Sequence, residues 1–158
     1  MRGKESLWTC APEQTSSLPS TVDHNHMQIA ILESDLTALD CALETLSSVG
    51  YVCFGVVNDK SLHELLEQVS IDLVILDWAA PDIARYDTLR YLSKHRSSIP
   101  IILCVTPLTP ENAIVSGLES GAKIYLEKPL SAGQSLAHIH AFEYRGNPHS
   151  AFATSRTI

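Results

Sequence analysis

Residues 72–81 read DLVILDWAAP. Leu73, Val74, Ile75 and Leu76 are apolar without alternation, which is how a strand covered on both faces reads. The strand ends on a carboxylate, Asp77, followed by a Trp-Ala-Ala-Pro turn. A buried charge is costly unless something pairs with it. Asp77 is therefore expected at the strand's mouth, as the exposed tip of a buried element, and whatever meets it there carries the chemistry.

The same texture repeats on both sides of this strand. IAIL (29–32) is a buried strand, followed by LTALDCALETLSSVG, where Leu36, Leu39, Leu43 and Leu46 recur at helical spacing and Gly50 ends the helix. YVCFGVV (51–57) is a second strand. SLHELLEQV (61–69) is a second helix, with Ser61 as N-cap and Glu64 at the capping-box position. Beyond DLVILD (72–77), the third strand, ARYDTLRYLSKH (84–95) reads as helix and IPIILCVT (99–106) as the fourth strand. Pro110 to Gly121 makes a fourth helix, with Thr109 as N-cap and Pro110 at the first helical position. AKIYLEK (122–128) is a fifth strand. Residues 131–145 form a fifth helix carrying Leu136, Ile139 and Phe142, weakened by Gly133. Strands alternating with helices over short connections predict an α/β fold, a doubly wound five-stranded parallel sheet of about 120 residues.

Length and composition agree. A chain of 158 residues with 45% hydrophobic and 18% charged residues suits one globular domain with tails. Residues 1–26 are polar and rich in Ser, Thr and Pro, and read as a disordered leader. The domain spans 27–145, where Met27 opens the apolar run and offers a second possible start. Residues 146–158 are linker or tail. A net charge of −7 and the lack of a basic stripe or base-reading helix argue against nucleic-acid binding by this chain. Cys10, Cys41, Cys53 and Cys104 form no C-x-x-C pair, and Cys53 and Cys104 sit in apolar runs as reduced, core-filling side chains, which favours a cytoplasmic setting. No apolar run spans a membrane and no secretory signal opens the chain. His24/His26 and His138/His140 lack further ligands at zinc spacing and read as surface residues.

In a doubly wound sheet the ligand site lies beyond the carboxyl ends of the strands. The first strand ends in Glu33-Ser34-Asp35, the third in Asp77, the fourth in Thr106 and the fifth in Lys128-Pro129. Carboxylates, a hydroxyl and a lysine thus share one rim. That combination suits a divalent cation held by hard oxygens and a phosphoryl group on Asp77, contacted by a cation and a hydroxyl.

On these residues the chain resembles the receiver domains of two-component response regulators, the CheY-like, flavodoxin-like module phosphorylated by histidine kinases. The resemblance covers 27–145 and implies a signalling domain, with at most self-catalysed phosphotransfer and dephosphorylation. It makes Asp77 the phosphoacceptor and Glu33, Ser34, Asp77 and the backbone carbonyl of Ala79 the Mg²⁺ set. Thr106 becomes the switch hydroxyl, Tyr125 the aromatic that swings on activation, and Lys128 the lysine before a usually cis proline. QSLAHIHAFEYR (134–145) resembles the last receiver helix of OmpR-type regulators. This implies a homodimer through the fourth helix, fifth strand and fifth helix, with Lys123, Glu127, Glu143 and Arg145 as contributors. The remaining GNPHSAFATSRTI is too short and polar for an effector domain. A stand-alone receiver, a truncated product and a chain cut at the linker all remain open.

Three positions depart from the family pattern. Ser34 replaces the second acid of the pair. Pro107 stands where a backbone N–H would meet the phosphoryl group, and proline has none. Ala84-Arg85 replaces Asp-Gly, a change expected to alter the loop into the third helix but not the phosphoryl pocket. The alternative is a degenerate pseudo-receiver, a protein-binding module that works without phosphate. Against a flavin site, ESDLTA is no phosphate loop; against a hydrolase, Ala79 offers no general acid–base two residues after Asp77.

Overall fold

The structure is a computed structural model that describes residues 26–130 and 133–146, the side chains of 144–146 excepted. The expected leader, with Trp8, Cys10 and His24, and the expected tail lie outside the described residues, apart from His26 and Gly146. So does the side chain of Arg145.

Among the described residues, ten elements alternate without exception: β1 (Gln28–Leu32), α1 (Leu36–Ser48), β2 (Val52–Val56), α2 (Asp59–Gln68), β3 (Leu73–Asp77), α3 (Ile83–His95), β4 (Ile101–Val105), α4 (Glu111–Glu119), β5 (Ile124–Glu127) and α5 (Gly133–Gly146). The strands form one parallel sheet in the order β2-β1-β3-β4-β5. The predicted doubly wound fold is the observed one.

Each face of the sheet carries its own core. Ala30, Leu32, Val74, Leu76, Leu103 and Val105 pack with Leu62, Leu65 and Leu66 of α2 and Leu89 and Leu92 of α3. Alternate residues of the same strands, Ile29, Ile31, Ile75, Ile102 and Cys104, pack with Leu39 and Leu46 of α1 and Ile139 and Phe142 of α5. This two-sided burial explains why β3 and β4 are apolar at every position. Cys53 and Cys104 are buried in the core, as expected, and burial pushes the Cys104 thiol up to about 12.

The helix starts differ from the expected ones for a local reason. α2 begins two residues before Ser61. Asn58 caps it by accepting the Ser61 N–H, so Ser61 is not the N-cap. α4 begins at Glu111 with Pro110 in the cap position and no side-chain cap bond. Thr109 is not its cap, because the Thr109 hydroxyl faces the loop after β3 instead. At the other end of α1, Gly50 takes φ +106° and closes the turn that returns the chain to β2.

Candidate functional site

The rim at the carboxyl ends of β1, β3, β4 and β5 gathers most of the expected residues. Asp77 is the last residue of β3, opposite Cys104 of β4. Its side chain is not a bare tip. It is 16% exposed, and Oδ1 accepts from the Lys128 ammonium at 3.0 Å and from the Ala79 N–H at 3.1 Å. Lys128 also donates to Glu33 Oε1 at 2.7 Å, so one ammonium joins two carboxylates from different strand ends. Glu33 is buried, and its Oε2 accepts the Asp35 N–H.

Burial works against the Asp77 charge. The hydrogen bond and charge of Lys128, the Ala79 N–H and a contribution from Glu33 outweigh it, holding the carboxyl below its ordinary 3.8. Burial also disfavours the Lys128 charge, but its bonds to Glu33 and Asp77 prevail and raise it above 10.5. Both groups are therefore ionised at neutral pH. Glu33, Asp77 and Lys128 also line a mostly apolar cavity of about 210 Å³, to which Ala38, Cys41, Ala42 and Thr45 of α1 contribute.

The other expected residues are placed unevenly. Ser34 is exposed, and Asp35 turns away to cap α1, accepting from the Thr37 and Ala38 N–H groups. Tyr125 is 46% exposed on β5 and faces outward. Thr106 follows β4, where its hydroxyl accepts the Leu108 N–H. Its own N–H goes to Thr109 Oγ1, and that same hydroxyl donates to the Ala79 carbonyl at 3.1 Å. Thr109, expected from sequence only as a helix cap, thus joins the expected switch hydroxyl to the expected metal-ligand carbonyl. The Lys128-Pro129 bond is cis.

Arg85 corrects another expectation. The Ala84-Arg85 change reaches past the loop to the main chain of Asp77, because Arg85 Nη1 donates to the Asp77 carbonyl at 2.6 Å. The guanidinium, in a residue only 9% exposed, also forks onto Asp59 of α2, with Nε to Oδ2 at 3.0 Å and Nη2 to Oδ1 at 3.4 Å. The Thr88 hydroxyl donates to the same Asp59 oxygen as Nε. The chain shows an acid at the start of one helix and a base in the first turn of the next. Nothing in one dimension says that they meet under Asp77. Trp78 is likewise fully buried. Its indole N–H donates to the Ala113 carbonyl of α4, and its ring packs edge-on against Tyr86.

A divalent cation fits this rim in part. Among the described residues no three acidic, histidine or cysteine side chains gather to hold a metal. Glu33 and Asp77, however, already converge on one cation, the Lys128 ammonium. Mg²⁺ typically takes one or two carboxylates and keeps several waters. The donor set is therefore adequate in its carboxylates and thinner where Ser34 replaces an acid.

Residues 29–140 match the response regulator receiver domain family. The probable transcriptional regulatory protein SilR of Salmonella typhimurium is 33% identical over 121 residues, covering 77% of this chain and 53% of that protein. The transcriptional regulatory protein CusR of Escherichia coli K12 is 31% identical over 120 residues, covering 76% and 52%. The chain thus spans about half the length of these curated relatives. Among solved structures, the receiver domain of the TMAO respiratory system response regulator TorR superposes with a TM-score of 0.68 at 26% identity, covering 77% of this chain and 99% of that one. A CheY-like receiver domain protein from Methanospirillum hungatei JF-1 reaches 0.69 at 21% identity, covering 77% and 97%. With its fold and its match over most of the sequence, the chain belongs to the response regulator receiver domain family.

Proposed function

We propose that Asp77 accepts a phosphoryl group from the phosphohistidine of a histidine kinase. The observation that carries this is the Lys128 ammonium held 3.0 Å from Asp77 Oδ1. It keeps the carboxylate ionised and places a fixed positive charge where phosphoryl oxygens would gather. Oδ1 is tied to Lys128 and the Ala79 N–H, which leaves Oδ2 to attack phosphorus. In that step an O–P bond forms, the N–P bond to the imidazole breaks, and its electron pair returns to the ring nitrogen. Lys128 and the Thr106 hydroxyl then bind phosphoryl oxygens. The Thr106 hydroxyl leaves the Leu108 N–H to do so, and Tyr125 follows it inward.

Glu33 and Asp77 would hold Mg²⁺, with Ser34 acting through a water and the Ala79 carbonyl as a further ligand. Bound there, the ion supplies charge compensation for the phosphoryl oxygens. Domain limits of 27–145, a cytoplasmic location, and homodimerisation through α4, β5 and α5 belong to the same proposal. The relatives named above are transcriptional regulatory proteins, and control of transcription is the output we infer for a chain of this kind.

A second possibility has specific support. Ser34 is exposed, Pro107 lacks an N–H, and the Ala79 carbonyl already accepts from Thr109. A pseudo-receiver binding its partner without phosphate would show these features.

Trp78 decides between them. Mg²⁺ is titrated first and beryllofluoride, a phosphoryl mimic, is added next while tryptophan fluorescence is followed. A saturable response that disappears in Asp77→Asn supports the phosphoacceptor. A flat trace, with no Mg²⁺ binding by calorimetry at millimolar concentration, supports the pseudo-receiver.

A further inference from the structure

Pairing between β1 and β3 ends with Leu32 opposite Leu76. In this register the amide that would reach the Asp77 carbonyl is that of Ser34, just past β1, and it makes no backbone bond to it. The Glu33 amide faces the Val56 carbonyl of β2. The sheet therefore does not supply a partner for the Asp77 carbonyl, and a backbone carbonyl this close to the core needs one. Arg85 provides it, reaching down from the first turn of α3. The other end of the same peptide unit, the Trp78 N–H, donates to the Cys104 carbonyl at 2.7 Å. The peptide plane joining Asp77 to Trp78 is gripped at both ends.

We propose that Arg85 is a positioning residue for the phosphoacceptor: anchored by Asp59, it holds the Asp77 carbonyl and so sets the direction in which the Asp77 carboxylate and the Ala79 amide project. The inference rests on Asp77 being the acceptor and goes beyond it by assigning a residue outside the family's set. The chemistry suits arginine alone. Its planar fork offers two donors to one carboxylate and a third to the carbonyl, whereas a lysine is a single point charge. The anchor is itself restrained. Asp59 lies in the first turn of α2, where the helix dipole favours an anion, and it accepts from the buried Thr88 as well. The guanidinium charge is thus matched by Asp59 and does not compete with Lys128 for the acceptor. Arg85 acts through the backbone, not by touching the phosphoryl group. A displacement of about 1 Å at a reacting atom lowers a rate by up to about a hundredfold, so a residue of this kind is felt kinetically.

The test uses the full chain with Arg85→Ala, Arg85→Lys and Asp59→Asn. Phosphoryl uptake from labelled phosphoramidate is measured at saturating Mg²⁺, alongside the carbonyl ¹³C resonance of Asp77 without donor or metal. The expected result is a resonance shifted upfield in Arg85→Ala, as a carbonyl losing its donor shifts, with uptake slowed about tenfold or more. Arg85→Lys and Asp59→Asn should be intermediate in both. A folded Arg85→Ala with an unmoved resonance and wild-type uptake overturns the proposal. Should Arg85→Ala fail to fold, wild-type behaviour of the other two variants overturns it equally. A wild-type protein that takes up no label overturns the acceptor role of Asp77 instead, and the resonance alone then decides whether Arg85 holds the carbonyl.

Discussion

The hydroxyl of Thr109 donates to the carbonyl of Ala79 across 3.1 Å while accepting the N–H of Thr106. One side chain in the loop after β4 therefore ties down the loop after β3. Thr109→Val should lower stability by about 2 kcal/mol, since it removes both of these hydrogen bonds and leaves the Thr106 N–H without its acceptor. Urea unfolding measures this. If the Ala79 carbonyl is a metal ligand, losing a competing donor should also strengthen Mg²⁺ binding about threefold, within the range of one neutral hydrogen bond. Calorimetry that finds no change would remove Ala79 from the metal set.

Lys128 compensates two carboxylates at once, so Lys128→Met should destabilise by about 3 kcal/mol, in the range for breaking a buried ion pair from one side. The pH dependence follows from the two shifts. Asp77 is held below 3.8 in the fold, so its contribution is present above that value and is lost as pH falls through the lowered folded value. Lys128 is raised above 10.5, so its contribution is complete below 10.5 and is lost as pH rises through the raised value. Wild type should exceed the variant by most in the window between 3.8 and 10.5, with the gap narrowing at both ends. Thermal melts across pH would show a parallel offset instead if the pairing were irrelevant.

Gly117 packs under Trp78. A Cβ added there would lie 2.6 Å from Leu103 Cδ1 and 3.0 Å from the indole ring. Gly117→Ala should cost about 1–3 kcal/mol by overpacking, although alanine is the better helix former. Because the indole N–H donates to α4, the same substitution should shift Trp78 emission. A stabilised variant with unchanged emission would show that α4 yields freely.

The thiols should react unequally. Burial places the Cys104 thiol at about 12, leaving almost no thiolate at neutral pH, whereas Cys41 is exposed. In a Cys10→Ser protein, native titration with a thiol reagent should modify one cysteine rapidly, with Cys53 and Cys104 reacting only on unfolding. Rapid modification of two or more would contradict this packing.

The architecture and the location of the rim are legible in the linear pattern of residues. Unbroken apolar runs in β3 and β4 require cover on both faces, and leucines at helical spacing between them supply it. The strand-end positions of Glu33, Asp77 and Lys128 follow from that alternation alone. Cap residues are less legible, since Ser61 and Thr109 are of the right type but Asn58 and Pro110 occupy the caps. The polar wiring of the site arises from packing between distant elements. Arg85 meets Asp59 across 26 residues of chain, Thr109 meets Ala79 across 30, and Lys128 meets Glu33 across 95. Apolar periodicity is a local property that burial imposes on each element. Hydrogen bonds between loops depend on how completed elements pack, and a linear pattern carries no record of that.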